Sequence, residues 1–175
     1  MRALIAIALS VLLAGCWAGE ALYSISDARP VMPTGGYRLV NIEGRALPKA
    51  VPVSVRPDGF TYIGGNDTGV PHLTVGFAPL DNDGRRFAAW TMHAPALAYG
   101  LLERAANGDY VLYIPSCDET GAFARLAGAS VEVPEGLPPQ CRFPNRASLE
   151  DALRRLPIPE RPPGMVYRLT RLPHG

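Results

Sequence analysis

The sequence predicts a mainly β fold: an antiparallel meander of seven or eight strands, curled into a barrel or half-barrel, with one late α-helix covering an opening. Three observations point there. Asp-Gly or Asn-Gly pairs recur at near-constant spacing, ending at Gly59, Gly84 and Gly108, and apolar residues alternate on both sides of each pair. Glycine and proline number 18 each while 47% of residues are hydrophobic. That is too turn-rich for a helical bundle and too apolar for a disordered chain. One segment, 148–156, carries apolar residues at helical spacing and ends at a proline.

Strand character begins at Tyr37-Arg38-Leu39-Val40. Val51, Val53 and Val55 alternate before the first turn, Phe60 and Tyr62 after it. Leu73, Val75 and Phe77 lead into the second turn, and Phe87, Ala89 and Thr91 leave it. Tyr99 and Leu101 precede the third; Tyr110, Leu112 and Ile114 follow. Such alternation puts one face of each strand on a core. Residues 37–114 therefore read as one strand and three hairpins, about seven strands. Residues 115–145 are rich in proline and hold two cysteines. They read as a long crossing loop, with a helical turn near 122–126 and a short strand at 131–133. Ser148 reads as the N-cap of the helix, with Glu150 and Asp151 in its first turn and Arg154 and Arg155 near its end. Pro157 and Pro159 stop it. A last strand, 165–172, repeats the first (YRLT against YRLV). Pairing the two would close the sheet and remove its edges.

The N-terminus gives an address. Arg2 is followed by an apolar run, residues 3–15, too short to span a bilayer and laid out as a secretory signal. It ends in Leu13-Ala14-Gly15-Cys16, which resembles the lipobox of bacterial lipoproteins. That resemblance implies a diacylglycerol thioether on the Cys16 sulfur, cleavage just before it and acylation of the new amine. Two or three acyl chains anchor stably where one is marginal. Trp17, rather than aspartate, follows the cysteine, which in the family favours the outer membrane, periplasmic side, over inner-membrane retention. The expected organisation is a signal peptide at 1–15, a lipidated N-terminus and tether at 16–35, and a single β-rich domain at 36–175.

Lys+Arg total 17 and Asp+Glu 16, giving a formal charge of +1, and loss of Arg2 leaves the mature chain near neutral. No basic run stands out, so nucleic acid is not an expected partner. Expected partners are the membrane, through Cys16, and another envelope protein or a small apolar ligand. With Cys16 lipidated, Cys117 and Cys141 remain as an even pair in an oxidising compartment and read as a structural disulfide. Scattered histidines argue against a metal site there, and the spacing is not that of a C-x-x-C redox pair.

No motif in the mature chain names a reaction, metal or cofactor. His72 follows Pro71 at a strand start, His93 ends a strand, and Asp67 lies in the polar loop Asn66–Gly69. These three are the loop candidates for chemistry, but no known catalytic pattern surrounds them. His174 is the next-to-last residue. Asp81-Asn82-Asp83-Gly84 has the start of a calcium loop without its later bidentate glutamate. Gly35-Gly36-Tyr37 faintly resembles the G-x-W that opens lipocalin barrels, without the tryptophan, and the helix here precedes the last strand where lipocalins place theirs after it. The sequence favours a non-catalytic binding or envelope-assembly module; the other reading is a small hydrolase-like enzyme using a loop histidine and a carboxylate such as Asp67 or Asp118.

Overall fold

The computed structural model describes residues 17–41, 51–65, 70–91, 97–135, 138–157 and 164–173, with the backbone alone at 41, 65, 70–72, 119, 164 and 165. Eight strands form a closed antiparallel barrel: β2 (Gly35–Asn41), β3 (Val51–Val55), β4 (Thr61–Gly65), β5 (Val70–Pro79), β6 (Arg86–Thr91), β7 (Leu97–Arg104), β8 (Tyr110–Pro115) and β11 (Gly164–Arg171). Each strand from β2 to β8 pairs with the next, and β11 bridges β8 and β2. The expected pairing of first and last strands is present: Leu39 lies opposite Leu169, and Tyr37, Leu39 and Leu169 are all buried in the interior.

The tight turns form as their sequences require. In Arg56–Phe60 and Ala105–Asp109 the glycine N–H donates to the carbonyl three residues back, at 3.0 Å in both. Gly59 and Gly108 each take φ +87°, the left-handed conformation that closes such a three-residue loop. These turns and 80–85 share one end of the barrel. Residues 28–34 stopper that end. The Arg29 N–H donates to the Phe77 carbonyl at 2.8 Å. Tyr37 and Tyr110 donate their hydroxyls to the carbonyls of Pro33 (2.8 Å) and Val31 (3.2 Å). Met32, 1% exposed, sits in the interior cluster with Phe77 and Leu102.

A second core lies outside the barrel, over β6, β7 and β8. Trp90, Tyr99, Leu101 and Tyr113 point outward and are buried by the N-terminal segment and two helices, α1 (Cys117–Leu126) and α2 (Arg146–Arg155). The helix α2 turns Leu149, Ala152 and Leu153 inward. It begins earlier than expected: Asn145, not Ser148, is the N-cap, its side chain accepting the Ser148 N–H at 3.0 Å. Glu150 and Asp151 consequently move out of the first turn and pair with arginines four residues away. At the other end Arg86 of β6 donates to the carbonyls of Arg154 and Leu156, satisfying groups the helix itself leaves open.

Two expectations are corrected. The loop 115–145 contains a full helix, α1, not a single turn. Its middle glycine, Gly121, passes close to Val131 and the disulfide, so a Cβ there would lie 3.5 Å from Val131 and 3.7 Å from the Cys117 sulfur. The helix is held by tertiary contacts rather than by propensity. Residues 17–34, expected as a tether, are part of the packed domain. Trp17–Gly19 form a strand, β1, that pairs antiparallel with the first half of β7 where β8 peels away, and parallel with β10 (Gln140–Arg142). A further strand, β9 (Ser130–Glu132), completes this three-stranded flap under α1. A tryptophan leaves water when it finds both an apolar slot and an acceptor for its N–H, and Trp17 finds both. No described helix is long and apolar enough to cross a membrane.

Candidate functional site

Of the residues singled out by sequence, Cys117 and Cys141 are joined as expected, with Cα atoms 5.4 Å apart. The bridge fastens the first residue of α1 to the middle of β10. Asp118 is exposed on α1. His72 lies in β5, and its side chain is outside the description; Cys16, Asp67, His93 and His174 lie outside the described residues. The strand ends flanking 42–50, 66–69, 92–96 and 158–163 all belong to the barrel end opposite the tight turns. The topology thus brings the bases of the segments carrying Asp67, His72 and His93 to the same rim.

Beneath that rim the described side chains of the barrel interior pack into one buried cluster. The space among Leu73, Val75, Thr91, Ala98, Leu112 and Ile114 is about 10 Å³, barely one water probe. Thr61 and Thr91 each bury a hydroxyl oxygen with no hydrogen-bond partner among the described residues. Among those residues no group of three or more His, Cys, Asp or Glu is arranged to hold a metal ion.

Two arrangements stand out on the outer wall, and both involve the N-terminal segment. The first surrounds Trp17, which is fully buried. Its indole N–H donates to Thr120 Oγ1 of α1 at 2.8 Å. Its ring lies 4.9 Å from Phe143 and 6.3 Å from Phe123. On the backbone it pairs with Tyr99 and Cys141. The disulfide therefore clamps α1 over the slot that Trp17 occupies. Beside it runs a polar groove of about 350 Å³ lined by Glu20, Ser130, Glu132 and Arg142 among others, with Arg142 and Glu132 paired across it at 2.6 Å.

The second is an aromatic and ionic stack. Tyr23 lies flat on Trp90, ring centres 4.6 Å apart, and the Arg146 guanidinium covers its other face at 4.3 Å. Arg146 also pairs with Asp27 (2.8 Å) and Glu150 (2.7 Å), and Glu150 in turn holds Arg154 (2.8 Å) and accepts from the Tyr23 hydroxyl (3.1 Å). Hydrogen bonds from the Ser24 backbone and hydroxyl, then from Arg146, lower the Asp27 carboxyl to about 2. Burial acts to raise the Glu150 carboxyl, but hydrogen bonds from Arg146, Arg154 and Tyr23 outweigh it and leave it below its ordinary value. Burial and the Glu150 charge push the Tyr23 phenol up. All these groups keep their ordinary charge at neutral pH, so the cluster is a clamp rather than an acid–base pair. It fastens residues 23–27 to α2.

Sequence reasoning missed Trp17, Tyr23 and Arg146. The only trace was two aromatic residues, Trp17 and Tyr23, in a stretch read as a tether. Comparison of the chain with protein-family models, curated proteins and solved structures finds no match.

Proposed function

We propose that this protein is a lipid-anchored module of the bacterial outer membrane, facing the periplasm, that acts by non-catalytic binding or envelope assembly. The address rests on the apolar run and the Leu13–Cys16 lipobox. The observation that supports the non-catalytic reading is the packing of the described barrel interior. Among the described residues, interior side chains from Tyr37 to Leu169 form one buried cluster that includes Met32, and the space left among Leu73, Val75 and Leu112 is about 10 Å³. Deep ligand pockets are usually several hundred Å³. The outer surface is left to meet a partner, and a protein of the envelope suits it better than a small apolar ligand. The enzyme reading has one observation in its favour, the shared rim below Asp67, His72 and His93.

The test has two arms. Cys16→Ser should abolish palmitate labelling and outer-membrane fractionation; a variant that still labels and fractionates there removes the lipid anchor. In a strain lacking the protein, the triple variant Asp67→Ala, His72→Ala, His93→Ala should restore envelope integrity to detergent as well as the parent does. Failure of a folded, lipidated triple variant would transfer support to the enzyme reading.

A further inference from the structure

The closed barrel gives each of its eight strands a partner on both sides, and the sheet continues from β7 through β1 and β10 to β9. Among the described strands β9 alone is paired on one side only. An open edge offers its backbone N–H and C=O groups to any extended chain, and proline, bulges or unpaired charge are the usual means of blunting it. At Ser130–Glu132 there is no proline, the register with β10 runs without a shift, and the Glu132 charge is answered by Arg142 in the next strand at 2.6 Å. The edge is also held in place. Val131 packs inward on the outer-wall core, and its register partner is Cys141, which the disulfide fastens to α1. A pre-formed edge loses little freedom when a strand adds to it. With three residues the backbone of β9 can supply only part of a binding free energy, so the side chains beside it must supply the rest. Ser130 and Glu132 point to the face away from Val131. There they line, with Glu20 and Arg142, the groove of about 350 Å³, a size within the range of ligand clefts. Two carboxylates face one guanidinium in it, which leaves one net negative charge.

We propose that the open edge of β9 takes up an extended segment of a partner protein by strand addition, with lysine or arginine side chains of that segment reaching into the groove toward its carboxylates. This rests on the reading above that a protein of the envelope meets the outer surface, and it names the place. A strand added to β9 lies about 4.8 Å from it. Its side chains opposite Ser130 and Glu132 then stand at the mouth of the groove, where a cation across from a carboxylate is the favourable cross-strand pair. Main-chain hydrogen bonds give such a complex its geometry, and the alternate side chains give it selectivity. The Cys117–Cys141 bridge gains a role in this arrangement: it keeps the receiving edge in register with the rest of the sheet.

The experiment titrates full-length, nitrogen-15-labelled protein in detergent micelles with three capped peptides of equal length. One alternates lysine and threonine, one lysine and proline, and one glutamate and threonine. The proline peptide has the same charge as the first but cannot pair as a strand. The lysine–threonine peptide should shift the amide signals of residues 130–132, Glu20 and Arg142, and leave that of Ser54 on the opposite wall unchanged. It should bind at least about tenfold more tightly than either of the others. Glu132→Lys and Glu20→Lys, each shown to be folded by thermal unfolding, should weaken it by a similar factor. Equal binding of the lysine–proline peptide would mean charge attraction without strand pairing and overturns the proposal. So do shifts that spare residues 130–132, affinity indifferent to both substitutions, or no binding at millimolar peptide. These outcomes are read on the purified protein, so they are independent of the Cys16 and rim variants, whose failure overturns the function reading instead.

Discussion

Replacing Trp17 distinguishes a packed N-terminus from a tether. Trp17→Ala removes an indole that is fully buried, donates to Thr120 at 2.8 Å and packs on Phe143 at 4.9 Å. Loss of a large buried aromatic costs about 3–5 kcal/mol, the transfer free energy plus the cavity left behind. In a domain of this size each kcal/mol lowers the melting temperature by roughly 2–4 °C, so a fall of roughly 6–20 °C is expected. The orphaned Thr120 hydroxyl adds little, because it still donates to the Ser116 carbonyl. Trp17→Phe keeps most of the apolar contact and loses the N–H donor, and should cost about 1–2 kcal/mol. The measurement is thermal and urea unfolding of the non-lipidated domain beginning at Trp17, compared with the two variants and with a form beginning at Glu20. The Glu20 form, which lacks all of β1, should melt no higher than Trp17→Ala. If all forms melt within a degree or two of one another, residues 17–19 behave as a tether and the burial of Trp17 contributes nothing to the fold.

Reduction of the Cys117–Cys141 bridge should lower stability by about 3–4 kcal/mol, from the loop it closes in the unfolded chain, and increase Trp17 exposure to acrylamide. Full alkylation of both thiols in protein isolated without reductant would contradict the bridge. Deleting residues 164–175 removes β11, leaving β2 and β8 each with one unpaired edge. Insolubility or degradation is expected, and cooperative melting at the full-length temperature would rule out the closed barrel. The Asp27 carboxyl is held at about 2, below its ordinary 3.8. Its contribution is therefore fully present above the ordinary carboxylate range and is lost as pH falls through the window from about 4 to about 2. Asp27→Asn should flatten acid unfolding in that window, and an unchanged acid profile would show that the Asp27–Arg146 pair contributes nothing measurable.

The parts of this protein that local physics specifies were legible in the chain. The turns at Gly59 and Gly108 need a left-handed residue within five positions. The strands announce themselves by alternation, and α2 by a stripe of leucines and alanine ending at a proline. Pairing of first and last strands could be inferred because both carry the same pattern and each needs a partner. An even cysteine pair in a chain read as secreted pointed to the disulfide. What depended on distant partners was invisible. The slot for Trp17 is built by Thr120, 103 residues away, and the anchor for Tyr23 by Glu150, 127 residues away. No window of sequence around WAGEALY contains either, so a buried strand read as a tether. The helix α1 escaped for the same reason: with a glycine at its centre it has little intrinsic drive, and the disulfide and Trp17 hold it in place. The sequence named Asp67, His72 and His93, and tertiary topology added that the described strands flanking their segments end at one rim. Burial against residues far along the chain made a stretch read as a tether part of the wall, and that is a property no local pattern encodes.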